Sequence, residues 1–116
     1  MAKSNKLWMK TAFNKVPKLY STENQGDNAR AFVKFFSNFS DRRDYILEYD
    51  PEEGIAFALT TENGEQELGY ISIPEMQEVN DNFRKHRFPC PPIQREMHGT
   101  PKEGYRIGDV KEGKIY

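Results

Sequence analysis

Residues 55–73 have the sequence IAFALTTENGEQELGYISI, and this stretch decides the fold. At its centre stands Asn63-Gly64, the dipeptide that most strongly favours a two-residue turn between antiparallel strands. On both sides of the turn the apolar residues alternate with the period of two that a strand requires. The stretch therefore predicts a β-hairpin, with its second strand over residues 66–73. The alternating faces are Ile55, Phe57 and Leu59 against Ala56, Ala58 and Thr60, then Leu68 and Tyr70 against Gly69 and Ile71.

Two further strands are predicted before the hairpin, over residues 29–37 and 45–50. Both faces of the first are partly apolar, so we expect it to be covered on both sides. Residues 50–54, DPEEG, form a turn into the hairpin, since proline fixes its own φ and glycine accepts a positive one. Short connections make consecutive strands antiparallel neighbours, which predicts a four-stranded meander. The faces are Ala31, Val33 and Phe35 against Phe32, Lys34 and Phe36, then Tyr45, Leu47 and Tyr49 against Ile46, Glu48 and Asp50.

A helix is predicted on each side of the meander. Ser4 can cap the first, over residues 5–14, and Pro17 ends it because the residue before proline is pushed out of the α region. The second begins with Pro74 at its first position and fades near residues 82–83. The chain therefore belongs to the α+β class. The expected apolar contacts are Leu7, Trp8, Ala12 and Val16 for the first helix and Met76 and Val79 for the second.

The composition changes after Arg87, where proline and glycine recur. We divide the chain into a single α+β domain over residues 1–86 and a C-terminal arm over residues 87–116, with short strands at 105–107 and 114–116. The arm is expected to be irregular and to pack on the domain or on a neighbouring subunit. A homo-oligomer is expected on the same ground.

Residues 17–25, PKLYSTENQ, separate the first helix from the first strand and concentrate hydroxyl, carboxylate and carboxamide groups. Thr22 with Gln25, and Ser21 with Asn24, have the spacing of a capping box. One interpretation is that these groups only satisfy the backbone of a turn, with Glu23 paired to Lys34 or Arg30. The other is a ligand site, in which Lys34 attracts a phosphate group and Tyr70 or Phe36 stacks on a base. The candidate ligand- or partner-binding residues are Tyr20, Ser21, Thr22, Glu23, Asn24, Gln25, Lys34 and Tyr70.

The sequence gives little support for catalysis. It contains no nucleophile elbow, no glycine-rich phosphate loop and no histidine pair at helical spacing, so we expect no enzyme activity and no cofactor. His86, Cys90 and His98 match no zinc spacing, so no metal site is expected. A small hydrolase that uses Glu23, Glu48 or Asp50 is the remaining catalytic alternative, because the last two share one strand face.

The net charge of −1 conceals an uneven distribution of charge along the chain. Residues 1–19 carry five lysines and no acid, residues 41–78 carry eleven acids against two arginines, and residues 79–116 carry eight bases and five acids. The acidic middle opposes direct contact with nucleic acid, and none is expected. An acidic face can instead imitate a phosphate backbone. The alternative function is therefore an acidic decoy that inhibits a host DNA- or RNA-binding defence protein, such as a CRISPR or restriction component.

The remaining sequence features indicate the cell compartment. Cys90 is the single cysteine, so no internal disulfide framework is possible and a reducing cytoplasm is expected. No apolar run approaches the roughly 20 residues that span a bilayer, so no membrane association is expected. Residues 1–6 carry charge without an apolar region after them, so we expect no signal peptide.

Four motifs in order resemble those of a small uncharacterised family found on bacterial plasmids, mobile elements and phages. The motifs in this chain are LYSTENQ at 19–25, VKFF at 33–36, YDPEEG at 49–54 and ELGYIS at 67–72. The family pattern is approximately P-x-L-Y-S-T-E-N-Q, V-K-F-F, D-P-E-E-G and E-L-G-Y-F-S, and the match covers about residues 15–80. The chain departs from it after Arg87, and it lacks a tryptophan-rich stretch at residues 37–43.

The resemblance implies a small accessory protein of a mobile element, without assigned catalytic residues, in the cytoplasm of a bacterial host cell. The function expected is therefore a non-enzymatic binding protein that serves counter-defence or host takeover. Such a protein would sequester a small nucleotide-like signal or cap a host effector, and its partner would be that signal or a host bacterial defence protein.

Overall fold

The computed structural model describes residues 7–8, 10–22, 24–97 and 100–113. The chain is α+β, with antiparallel sheets as predicted. A 3₁₀ turn at Gly26–Asn28 precedes the first strand. The helices are α1 Lys10–Phe13, α2 Ile73–Lys85 and α3 Ile107–Lys111; the strands are β1 Arg30–Ala31, β2 Val33–Ser37, β3 Arg43–Asp50, β4 Ile55–Glu62, β5 Glu65–Ser72, β6 Ile93–Arg95 and β7 Tyr105–Arg106.

The main sheet has five strands in the order β5-β4-β3-β2-β6, all antiparallel. The predicted four-stranded meander is its β2–β5 part, and the prediction missed β6, which pairs with β2 from the far side. A second sheet pairs β1 with β7. Among the described residues, no helix is long and apolar enough to cross a membrane.

The hairpin that decides the fold forms as predicted. Glu62 pairs with Glu65, and the two turn residues between them have positive φ, 54° at Asn63 and 81° at Gly64. These are the dihedrals of the type I′ turn that Asn-Gly favours. The turn at residues 50–54 also forms, since Gly54 has φ 72° and its N–H donates to the Asp50 carbonyl at 2.8 Å.

A β-bulge in β3 makes the two faces of that strand differ from the prediction. The register with β4 shifts between Ile46 and Glu48, so that Leu47 is an extra residue. After the bulge Glu48 pairs with Phe57, on the face of Leu47, and Tyr49 joins Ile46 on the opposite face. The prediction that Tyr49 shares a face with Leu47 was therefore wrong, because one inserted residue reverses the alternation.

The strand predicted over residues 29–37 is interrupted at Phe32. Ala31, in β1, packs in the core beneath α3, while Val33 and Phe35, in β2, pack in the core beneath α2. The predicted common face of these three residues was therefore wrong. The interruption allows β1 to leave the main sheet and to pair with β7.

Two hydrophobic cores lie on opposite faces of the main sheet. The first lies beneath α1 and α2 and contains Leu7 and Met76. Trp8 and Val79 were predicted to be buried in this core, but they are 40% and 42% exposed. The buried residues of the first core are Leu7, Phe13, Val33, Phe35, Ile46, Tyr49, Ala56, Ala58, Ile73 and Met76.

Both predicted helices differ in extent from their expected ranges. The described part of the first is the four-residue α1, and its anchor is Phe13, whose ring lies 4.8 Å from that of Tyr49. The predicted residues 5–6 lie outside the described residues. The second helix runs past residues 82–83 to Lys85, and Ser72 caps it by accepting a hydrogen bond from the Glu75 N–H at 3.3 Å. Pro74 is thus its second position.

The second core joins the C-terminal segment to the open face of the sheet. Tyr105 packs edge-on against Tyr45, with ring centroids 5.3 Å apart. The Ile107 N–H donates to the Ala29 carbonyl at 2.9 Å, which connects α3 to the chain before β1. The strand predicted at 105–107 is confirmed for its first two residues, and that at 114–116 lies outside the described residues. The buried residues of this core are Ala29, Ala31, Tyr45, Leu47, Leu59, Tyr105, Ile107 and Val110.

Candidate functional site

The polar stretch at residues 17–25 is held by one carboxylate from the sheet, that of Glu48. Its Oε1 accepts the Tyr20 N–H at 2.7 Å, and its Oε2 accepts the Thr22 N–H at 2.9 Å. The Thr22 hydroxyl donates to the same Oε2. Glu48 is 2% exposed, so these charge-assisted bonds replace the water that the carboxylate gives up.

The backbone of Tyr20 is strained at this point. Its φ is 68°, in the left-handed region that a residue with a side chain seldom adopts. The bond from its N–H to Glu48 holds this conformation, and the phenol ring is left 62% exposed. A large exposed ring on a strained backbone is a feature that clusters at binding sites.

An open pocket of about 260 Å³ lies between this loop, strands β3 to β5 and α3. Leu47, Phe57 and Ile107 form its apolar base, and the Glu48 carboxylate and Thr22 supply polar groups. This is a little below the roughly 300–1,000 Å³ of sites for drug-sized ligands. The remaining residues that line it are Tyr20, Gly26, Ala29, Leu68, Tyr70 and Lys111.

Three aromatic rings line one side of the pocket. The Tyr70 ring centroid lies 5.1 Å from that of Phe57 and 6.5 Å from that of Tyr20. Tyr70 is 54% exposed, and Leu68 next to it on β5 is exposed as well. Rings at these separations and tilts interact favourably with one another.

The charges around the pocket are separated by depth. Glu48 lies buried, and its carboxylate accepts three hydrogen bonds from the loop, which occupy three of its roughly four acceptor positions. Lys111 lies at the exposed rim, where its ammonium pairs with Asp27 at 2.9 Å. A surface pair of this kind is weak, so Lys111 can exchange its partner for a ligand anion.

The structure brings together only part of the predicted site. Tyr20, Thr22 and Tyr70 line the pocket, whereas Ser21, Asn24 and Gln25 are exposed and do not. The predicted Thr22–Gln25 capping box is absent, because the Thr22 hydroxyl bonds Glu48 and Gln25 makes no side-chain cap. Glu23 lies outside the described residues.

Several pocket residues were missed from the sequence. Glu48 was considered only as a possible catalytic acid, and Phe57, Leu68 and Lys111 were not singled out. The predicted hairpin places Tyr70 opposite Phe57, and side chains in such cross-strand pairs touch. This pairing could have indicated the aromatic side of the pocket. Lys111 could not have been placed, because nothing local indicates that α3 returns to the loop.

Lys34, the predicted phosphate-binding charge, lies elsewhere. It is buried between two tyrosine rings of the second core, with Nζ 5.5 Å from the Tyr45 centroid and 5.4 Å from that of Tyr105. Burial, and then the nearby Arg43 charge, lowers the pKa of its ammonium, against a smaller opposing effect of Glu96. Lys34 therefore serves the packing of the C-terminal segment.

We expect Lys34→Met to raise the free energy of unfolding by about 1 kcal/mol at pH 7, because methionine fills the space without a desolvated charge. The lowered pKa means that the unfolded chain binds more protons, so wild-type stability rises with pH towards the ordinary value of 10.5. The advantage of the variant should therefore shrink with rising pH. Urea denaturation at several values between pH 7 and 9 measures it, below the range where Tyr49, whose pKa burial raises, ionises in the unfolded chain.

Lys18→Met is the matched control, because Lys18 is exposed and the same substitution there should change stability by less than about 0.5 kcal/mol. If the stability gained by Lys34→Met stays constant or grows with pH, the interpretation of Lys34 as a desolvated buried charge is contradicted.

The catalytic and metal alternatives gain no geometric support in the part of the chain that is described. Glu48 is bonded to the loop, and Asp50 accepts the Glu52 N–H at 3.0 Å within its own turn. Within residues 7–8, 10–22, 24–97 and 100–113, no group of three His, Cys, Asp or Glu side chains could hold a metal ion.

Comparison of the chain with family models, with curated proteins and with solved structures gives no match. The resemblance to a family of mobile elements therefore stays a prediction. The function has to be inferred from the pocket and from the surfaces of this fold.

Proposed function

We propose that this protein is a non-enzymatic binding protein that captures a small nucleotide-like ligand in the pocket beneath Tyr20. The observation that carries the proposal is the strained and exposed Tyr20, held over the pocket by the buried Glu48 carboxylate. A structural turn alone would not require a large ring in this position. The rings of Tyr20 and Tyr70, tilted by 59° to each other, are two aromatic surfaces on either of which a base could stack.

The charges favour one orientation of the ligand. A phosphate placed next to Glu48 would be repelled, whereas a base with N–H groups could donate to the acceptor position that the loop leaves open. The phosphate would then lie at the rim with Lys111, in exchange for Asp27. The pocket's volume of about 260 Å³ suits one nucleotide base better than a whole dinucleotide.

Capture of a nucleotide suits the setting that the sequence resemblance implies. An accessory protein of a phage or another mobile element that removes a host nucleotide signal would act in counter-defence. Among the described residues β5, eight residues long, is the edge strand of the main sheet, which supports a homo-oligomer in which a second copy extends the sheet beside the pocket. Light scattering of the same samples used for titration would give the oligomeric state.

Calorimetric titration with mononucleotides and with cyclic and linear dinucleotides tests the proposal. We expect heat with at least one mononucleotide and a loss of affinity of at least about fivefold in Tyr70→Ala, because base–aromatic stacking contributes roughly 1–3 kcal/mol. Asn24→Ala is the control, since Asn24 was a predicted site residue but lies outside the pocket lining. No heat with any nucleotide would remove the ligand-capture function.

An acidic decoy is the second candidate, and the β4–β5 hairpin favours it. Glu62 and Glu65 face each other across the turn, and Glu67 follows on the edge strand. Like charges in opposed positions destabilise a hairpin, which is the pattern expected where an acidic surface is kept for binding. A partner held by this hairpin should dissociate as the salt concentration rises, whereas ligand capture by stacking should change little.

A further inference from the structure

A second surface lies on the other side of the sheet, at the end of α2. It consists of the exposed rings of Phe39 and Phe88 and the half-buried ring of Phe83 between them, with the exposed cations Arg84 and Arg87 next to Phe83 and Phe88 in the sequence; we call it the aromatic–basic face. Phe83 lies 5.9 Å from Phe39 and 4.8 Å from Phe88, measured between ring centroids. The helix packs on the first core, whereas the pocket opens over the second, so the two sites are separate.

The helix end that carries this face has an unusual residue at its key position. The Phe88 N–H donates to the Phe83 carbonyl at 3.1 Å and the Arg87 N–H to the Arg84 carbonyl at 2.9 Å, which is the Schellman arrangement. The residue beyond the cap is left-handed in this motif and is usually glycine. Here it is Arg87, with φ 64°. Arg87 occupies this position although glycine would be less strained there.

The arrangement of charge is not explained by helix stability alone. Cations in the last turn interact well with the helix dipole, which accounts for Arg84 and Lys85. It does not account for Arg87, which lies beyond the helix, or for the exposed phenyl rings. Neither Lys85 nor Arg87 forms an ion pair with a described residue, and Arg84 makes only a half-exposed pair of 3.7 Å with Asp81.

We propose that the aromatic–basic face binds single-stranded nucleic acid. Its bases stack on the exposed rings and its phosphates lie against Arg84 and Arg87, the combination that sequence-tolerant single-strand binders use. A duplex would not fit this surface as well, because its bases already stack on one another. The expectation that the chain avoids nucleic acid rested on the acidic residues 41–78, whereas residues 83–87 at this helix end carry three cations and no acid.

Fluorescence anisotropy with labelled oligo(dT) and oligo(U) of twelve nucleotides tests the proposal, with one arm for DNA and one for RNA. We expect binding at 50 mM salt that weakens steeply towards 200 mM, with a logarithmic slope of about −0.7 for each phosphate contact. The Phe88→Ala variant should bind at least about fivefold more weakly, because one stacking platform is lost. A duplex of the same length should bind more weakly than either single strand.

Arg87→Gly separates function from folding, because its two expected effects have opposite signs. Glycine relieves the left-handed strain, so the melting temperature should rise by roughly 3 °C. Loss of one phosphate contact should reduce affinity at 50 mM salt and lower the salt slope by about 0.7. Lys18→Met, which removes an exposed cation outside this face, should leave oligonucleotide binding unchanged, which distinguishes this face from general charge attraction.

Three results would overturn the proposal. One is the absence of an anisotropy change with either oligonucleotide at 50 mM salt, which would reassign the face to a protein partner. Another is equal binding by wild type, Phe88→Ala and Arg87→Gly. The third is equal affinity for duplex and single strand, which would mean that charge acts without stacking.

Discussion

Replacement of Glu48 by alanine is expected to lower the free energy of unfolding by about 4 kcal/mol, the largest effect of any single substitution considered. The carboxylate is buried, and three donors converge on it: the N–H groups of Tyr20 and Thr22 and the Thr22 hydroxyl. Removal of the acceptor leaves two backbone donors without a partner, at about 1–3 kcal/mol each. The loop between Pro17 and β1 then loses its attachment to the sheet.

Glu48→Gln tests how much of this effect depends on charge. A carboxamide retains the shape and one acceptor, but its NH₂ group faces an N–H from the loop and repels it. We expect a loss of about 2 kcal/mol, between wild type and alanine. Thr22→Val removes the hydroxyl donor alone, so the double variant Thr22→Val with Glu48→Gln should lose less than the sum of the single variants.

Urea denaturation of the variants measures these losses, and Glu53→Ala provides the control. Glu53 lies in the exposed turn after β3, and its substitution should change stability by less than about 0.5 kcal/mol. A change of less than 1 kcal/mol in Glu48→Ala would mean that water can replace the carboxylate. It would also remove the reason why Tyr20 keeps its strained backbone, and so weaken the proposed function.

The role of Glu48 shows where sequence reasoning reached its limit. Alternation predicted correctly that Glu48 and Asp50 share a face, but it gave no sign of the bulge at Leu47, which depends on register with β4. The polar stretch was identified as important. The Ser21 hydroxyl donates to the Lys18 carbonyl, as the interpretation of a structural turn expects, whereas the Thr22 hydroxyl donates to Glu48. The residue that accepts its hydrogen bonds, Glu48, lies on a strand 26 residues after Thr22. No local sequence pattern indicates a contact over that separation.

Local chemistry explains what was predicted well. Asn63-Gly64 determines its own turn, because few other residues accept two successive positive φ values. The end of a strand at Ser72 and the start of a helix with Pro74 are likewise determined by neighbours in sequence. The break at Phe32 and the strand β6 depend on partners far along the chain, so their residues carry no periodic signal of their own.

Asn80→Ala is expected to lower the free energy of unfolding by about 3 kcal/mol, and it tests what holds β6 in the sheet. Asn80 is fully buried on α2, and its carboxamide bonds both backbone groups of Ile93. Its Nδ2 donates to the Ile93 carbonyl at 2.8 Å, and its Oδ1 accepts the Ile93 N–H at 3.1 Å. Alanine leaves both half-buried backbone groups without this partner and opens a cavity where the carboxamide was.

Asn82→Ala is the matched control, because Asn82 is an exposed asparagine on the same helix. Alanine is the better helix former, so this variant should be as stable as wild type or more stable by about 0.5 kcal/mol. Urea denaturation distinguishes the two variants. Hydrogen exchange should show the earliest loss of protection at β6 in Asn80→Ala, whereas protection that is lost evenly across the sheet would contradict a local role.

The effect of Asn80 should extend beyond β6, because this strand connects three parts of the fold. It pairs with β2 through Phe35 and Arg95, and the Arg95 guanidinium donates to the Leu7 carbonyl at 3.1 Å. When β6 detaches, β2 becomes an open edge and the N-terminal segment loses one of its attachments. A three-residue strand is too short to be stable by itself, so we expect the Asn80 carboxamide to add to the bonds that Lys34 and Asn38 make with this segment in holding β6 in the sheet.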